Sequence, residues 1–137
     1  MAEPCAFVLN AFALLAYFQD EPAAARVELL LEQAAKEKCH LFVSIINLGE
    51  LLYIIERSGG ASKARDALAL IQQLPIEILP ADQPAVFSAA HIKSAHVLSY
   101  ADAFAVAAAM HVNACILTDD VELKCVEQMV KVEWLGK

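Results

Sequence analysis

Four carboxylates stand in surroundings too apolar to hold them without a reason. Glu50 lies in "SIINLGELLYII", Asp102 in "SYADAFAVAAAM", and Asp119 and Asp120 end "CILTDD". A buried carboxylate without a partner is costly. If Glu50, Asp102 and Asp120 converge, each pair of charges 4 Å apart repels by about 4 kcal/mol at an effective dielectric near 20. A hard divalent cation with oxygen ligands, Mg²⁺ or Mn²⁺, is the natural compensation. Such an ion acidifies bound water and neutralises charge developing on a phosphoryl oxygen, which suits phosphodiester hydrolysis.

Each residue also has a structural reading. Glu50 can pair with Arg57 or Lys63, or sit at a helix edge. Ser99 followed three residues later by Asp102 resembles a capping box, and an acidic residue suits the positive end of a helix. Asp119 with Glu122 fits a second box opening a short helix at Val121–Glu127. Successive strand side chains alternate faces, so the two aspartates are not expected to share a job. Asp119 is expected to be the cap and Asp120 the site residue, with Asp119 kept as a further candidate ligand. Lys93, Ser94, His96 and Ser99 just ahead of Asp102 form a local cluster of basic and hydroxyl groups suited to phosphate or ribose. The competing expectation for Lys93 is a solvated surface lysine.

Short apolar runs at Cys5–Asn10, His40–Ser44, Glu77–Leu79, Ala114–Thr118 and Met129–Glu133 read as buried strands. Helical patterns fall between them: Ala11–Gln19, Pro22–Lys38, Ile45–Arg57, Ala61–Gln73, Asp82–Ala95 and Ser99–His111. Strands alternating with helices imply an α/β fold with a mainly parallel sheet covered on both faces. In such sheets the functional crevice lies beyond the carboxyl ends of the strands. Asn10 ends the first strand and Asp119–Asp120 follow the fourth, so these two strands are expected to be neighbours. Ile45–Arg57 is apolar on nearly every side and is expected to be a buried helix.

A length of 137 residues predicts one domain, 1–137. The longest apolar segment, Ala6–Phe18, has 13 residues, short of the roughly 20 a membrane span needs. Glu3 stands where a secretory signal would carry basic residues. A soluble, cytoplasmic protein is expected, with its four cysteines reduced, since none falls in C-x-x-C. A net charge of −7 argues against a basic nucleic-acid stripe but allows an acidic cleft in which a cation meets phosphate.

"FVLNAFALLAYFQDE", "VSIINLGELLY", "IKSAHVLSYADAFAVAAAM" and "ACILTDDVELK" resemble, in order and spacing, the segments of PIN-domain proteins. More narrowly they resemble VapC-type toxins of bacterial and archaeal toxin–antitoxin pairs, over nearly the whole chain. The resemblance implies a three-layer α/β/α fold with a five-stranded parallel sheet in the order 3-2-1-4-5. It implies an endoribonuclease dependent on Mg²⁺ or Mn²⁺, an RNA substrate, a homodimer, and a cognate antitoxin whose C-terminal segment lies in an apolar groove. The family's acidic quartet falls on Asn10, Glu50, Asp102 and Asp120. The first position departs from the family's aspartate. Asn10 offers a carbonyl oxygen but no charge. The protein is then a weakened or inactive nuclease, by nature or by an introduced substitution, or else Asp119 supplies the missing charge. The alternative is a non-catalytic PIN-like module that binds a partner protein. A phosphoacceptor receiver domain fits less well, because its acceptor aspartate would end the third strand, where "EILP" ends in proline.

Overall fold

A computed structural model describes residues 5–19 and 22–136. Its strands are β1 (Ala6–Leu9), β2 (His40–Ser44), β3 (Ile76–Leu79), β4 (Cys115–Thr118) and β5 (Val132–Trp134). All pair in parallel in the order β3-β2-β1-β4-β5. The order and the neighbouring of the first and fourth strands are as expected. Their apolar runs are unbroken because both faces are covered. Leu9, Leu41, Val43 and Leu117 pack on one face, with α1 (Ala11–Phe18), α2 (Ala24–Ala35), α3 (Ile45–Gly59) and α4 (Ala61–Gln73). Val8 and Ile116 pack on the other, with α5 (Gln83–Ala95), α6 (Tyr100–Val112) and a 3₁₀ helix (Val121–Val126). Among the described residues, no single helix is long and apolar enough to cross a membrane.

Three helices begin at a strand's carboxyl end, each with a side-chain cap. Asn10 accepts from the Ala13 N–H at the start of α1, Ser44 from Ile46 at α3, and Asp120 from Glu122 at the 3₁₀ helix. Ser99 caps α6 in the same way, accepting from the Asp102 N–H. These caps satisfy amide groups that a helix start leaves unpaired. They bring four helix N-termini to the edge where the carboxylates of "CILTDD" lie.

Three expectations are corrected. Met129–Lys131 is not strand: the N–H groups of Met129 and Val130 both reach back to the Val126 carbonyl, so a turn delays β5 to Val132. The helix after Pro22 begins at Ala24, with Pro22 in the preceding turn. The helix α3 is one-sided rather than buried all round. Asn47, Leu48 and Leu51 face the core, whereas Ile45, Ile46 and Tyr53 are exposed. It ends where Gly60 adopts φ +93°, a conformation that costs a glycine little.

Candidate metal centre

The first turn of α6 carries Asp102, 2% exposed, to the carboxyl edge of the sheet. The end of β4 carries Asp120, and the 3₁₀ turn that follows carries Glu122. One carboxylate oxygen from each lies within 4.8 Å of the others. The capping box read from Ser99 and Asp102 is only half formed. Ser99 Oγ accepts from the Asp102 N–H at 3.1 Å, but the Ser99 N–H is donated to Glu122 Oε1 at 3.0 Å. Glu122 thus takes the reciprocal bond and leaves the Asp102 carboxylate out of the cap. Asp102 Oδ2 is buried and has no partner. A native buried oxygen left in that state calls for a cation, a proton or a water.

Electrostatics point the same way. Burial, then the nearness of the Asp120 carboxylate, to which Asp102 can donate only when protonated, and its charge, then the charges of Glu50 and Glu122, push the Asp102 carboxyl up to about 8. Glu50, on α3 and part-buried, is also raised, by burial and then by Asp120 and Glu122. It therefore shares the field of the other carboxylates. Its suggested partners are turned elsewhere: the Arg57 guanidinium lies over the Tyr53 ring at 5.4 Å, and Lys63 folds against Gly59. An all-carboxylate donor set with an unpartnered buried oxygen fits a hard divalent cation.

The candidate residues are placed unequally. Asn10 is 0% exposed, not open to the crevice as expected. Its Oδ1 accepts from the Ala13 N–H at 3.1 Å, and its Nδ2 donates to Thr118 Oγ1 at 2.7 Å. The same Thr118 oxygen accepts the Asp120 N–H at 3.0 Å, so one hydroxyl links positions 10 and 120. Of the two aspartates, Asp120 rather than Asp119 supplies the cap, and it does so while standing among the clustered carboxylates. Asp120 Oδ1 caps the 3₁₀ helix, accepting from Glu122 N–H at 3.0 Å, while Asp120 also belongs to the carboxylate cluster. Asp119 is exposed and lies beside Gly136, after β5. A carboxylate has two oxygens, so capping does not remove Asp120 from the site.

Lys93 Nζ donates to the Leu98 carbonyl at 2.8 Å and so clasps the turn before α6. Ser94 Oγ donates to the His91 carbonyl at 2.7 Å, and His96 closes α5 as its C-cap. Of that cluster, Ser99 is the residue bonded to the acidic centre.

Three contributors escaped the sequence reading. Short-range sequence patterns give Glu122 only a capping role and make Thr118 only the last residue of a strand. Asn47 sits one turn before Glu50 on an otherwise apolar buried face, and a polar residue there was the available signal. It is 0% exposed and donates from Nδ2 to the carbonyl of Ala101, next to Asp102, at 2.8 Å, while its Oδ1 has no partner. This bond joins α3 to α6 and so sets Glu50 relative to Asp102. Asn47→Leu is expected to cost about 1–3 kcal/mol in urea unfolding, because it strips a buried bond. It should also weaken the thermal shift produced by Mn²⁺.

The fold and the clustered carboxylates define an α/β/α protein with an acidic centre where the strand order reverses between β1 and β4. The PIN domain family model matches residues 7–128, and the chain belongs to that family. Solved structures share the fold. A chain of the Rickettsia felis VapBC2 complex, bound to a DNA fragment from its promoter, is 17% identical, with 96% of this chain and 99% of that chain covered and a TM-score of 0.73. VapC20 of Mycobacterium tuberculosis, described as a sarcin–ricin loop cleaving toxin, is 16% identical over 87% of this chain and 92% of that one, with a TM-score of 0.67. VapBC-1 of nontypeable Haemophilus influenzae is 18% identical over 94% and 97%, with a TM-score of 0.69. No curated protein sequence matches the chain significantly.

Proposed function

We propose that the protein is a metal-dependent endoribonuclease of the VapC toxin type, with Asp102, Asp120 and Glu122 holding Mg²⁺ or Mn²⁺ and Glu50 beside them. The observation that carries this reading is the convergence of three carboxylates around the unpartnered Asp102 oxygen. When bound, the ion supplies an acidified water and stabilisation of charge on the phosphoryl oxygens. Asp102 gives up its proton on loading, Asp120 and Glu122 complete the acidic wall, and Asn47 keeps α3 against α6. Asn10 contributes no charge, and its amide oxygen is engaged in the cap of α1. RNA as the substrate class draws support from the activity given for VapC20.

The same reading includes a cytoplasmic setting, a homodimer and an antitoxin partner. A groove of about 500 Å³ between α1, α3 and α4, lined by Leu15, Phe18, Ile55 and Leu70, suits the apolar face of an antitoxin segment. Similar chains come from toxin–antitoxin complexes. Light scattering of the free chain and of its complex with the protein encoded beside it tests both assemblies.

Cleavage of a panel of structured and single-stranded RNAs, a sarcin–ricin hairpin among them, is expected with Mn²⁺. It should be lost on chelation and in Asp102→Asn. A second reading, a partner-binding module without catalysis, is favoured by Asn10, whose amide oxygen and nitrogen are both bonded within the fold. It replaces the first if neither this chain nor Asn10→Asp cleaves any RNA while both bind the antitoxin.

A further inference from the structure

Cys5 and Cys39 stand at the amino edge of the sheet, opposite the carboxylates. The register of β1 and β2 pairs Ala6 with His40, and the His40 N–H bonds to the Cys5 carbonyl at 2.7 Å. The two cysteines are therefore side by side at the entrances of neighbouring strands. Parallel strands run about 4.8 Å apart, within the roughly 4.4–6.8 Å of Cα separation that a disulfide spans. Their Sγ atoms are 2.6 Å apart, although the residues are 34 positions apart in sequence. Cys39 is 3% exposed and Cys5 is only part-buried, so one sulfur is reachable and the other is sheltered behind it. The guanidinium of Arg26, held by Glu133, is close enough to feel the charge of either sulfur.

We propose that Cys5 and Cys39 form a redox modification site that exchanges with a small-molecule disulfide such as oxidised glutathione. Cys5 loses its proton to solvent and attacks one sulfur of the small disulfide. That S–S bond breaks, and half of the molecule leaves as a thiolate and takes up a proton. Cys39 then loses its proton and attacks the Cys5 sulfur, expelling the second half as a thiol. The pair is oxidised by two electrons, and one small disulfide becomes two thiols. The order follows from access and from charge. Burial, then the hydrogen bond and charge of Cys5, push the Cys39 thiol up to about 12. The two contributions from Cys5 vanish once its sulfur is capped, whereas the opposing pull of Arg26 remains.

The full chain, folded, is treated with excess oxidised glutathione, alkylated and digested with trypsin. The expected product joins the segment ending at Arg26 to the segment Cys39–Arg57, two hydrogens lighter than their sum. The melting temperature should rise on oxidation and return on reduction, since the link closes a long loop. Cys5→Ser should show neither effect and Cys125→Ser both, because Cys125 is exposed and outside the pair. Recovery of Cys5 and Cys39 as separate thiols or separate glutathione adducts, while Cys125 is fully modified, overturns the proposal. So does a link that forms only in denaturant.

Discussion

Millimolar Mn²⁺ is expected to raise the melting temperature of the chain, by an amount that grows as the pH rises. The folded protein keeps Asp102 protonated up to about 8, because of burial and the charge of Asp120. An unfolded aspartate titrates near 4. A raised folded pKa favours folding fully below the unfolded value, and this contribution is lost as the pH rises through the folded one. Chelated protein should thus lose stability between about pH 4 and 8, at no more than about 1.4 kcal/mol per pH unit for one proton. A divalent ion binds the deprotonated site, so it replaces the proton and recovers that loss. At a concentration of 100 times the dissociation constant it contributes about 2.7 kcal/mol. Asp102→Asn should flatten the pH profile and remove most of the Mn²⁺ shift. Melts in a chelator and in Mn²⁺ at several pH values measure both. A pH-independent melting temperature with no metal shift would leave the carboxylate cluster without the role proposed for it.

Asn10→Asp should produce the largest gain. The fold can accept it, though not because position 10 is open, since the residue is fully buried. One carboxylate oxygen keeps the cap on Ala13, and a negative charge suits the N-terminus of α1. The other oxygen meets Thr118 Oγ1, which now accepts from Asn10 and must instead donate. A hydroxyl has one proton and two lone pairs, so it can turn while still accepting the Asp120 N–H. What changes is charge. An unpaired buried charge costs about 3–5 kcal/mol, so the variant should melt lower than its parent in a chelator. Its rise with Mn²⁺ should be larger, and RNA cleavage should appear or increase. Adding Asp102→Asn to Asn10→Asp should remove the gain in both readings. A metal response identical to the parent's would place position 10 outside the reach of the ion.

The arrangement of strands and helices was legible because buried parallel strands have little freedom in composition. "FVL" and "CIL" are apolar at every position since both faces are covered. No periodicity dictates the full strand order, which only the resemblance implied; the crevice argument reached no further than the neighbouring of the first and fourth strands. Met129 and Val130 look like strand by residue type, and the carbonyl of Val126 captures their amides instead. The acidic centre was half legible. Asp102 stood out as a charge in an apolar helix. Glu122 did not, because its bond to Ser99 crosses 23 positions of sequence and short-range patterns show only its capping role. The part played by Asn47 is hidden for a similar reason: its partner Ala101 lies 54 positions away.

The capped helix starts at the carboxyl edge bear on how the protein is assembled. The N-termini of α1, α3, α6 and the 3₁₀ helix supply partial positive charge to the same edge as the carboxylates. Asp102 can also hold a proton there until an ion displaces it. The scaffold therefore carries its own provisional countercharge. If the centre takes the divalent ion proposed for it, this countercharge lets the chain fold before the ion arrives, and loading becomes a separate, later event set by how much metal the surroundings provide.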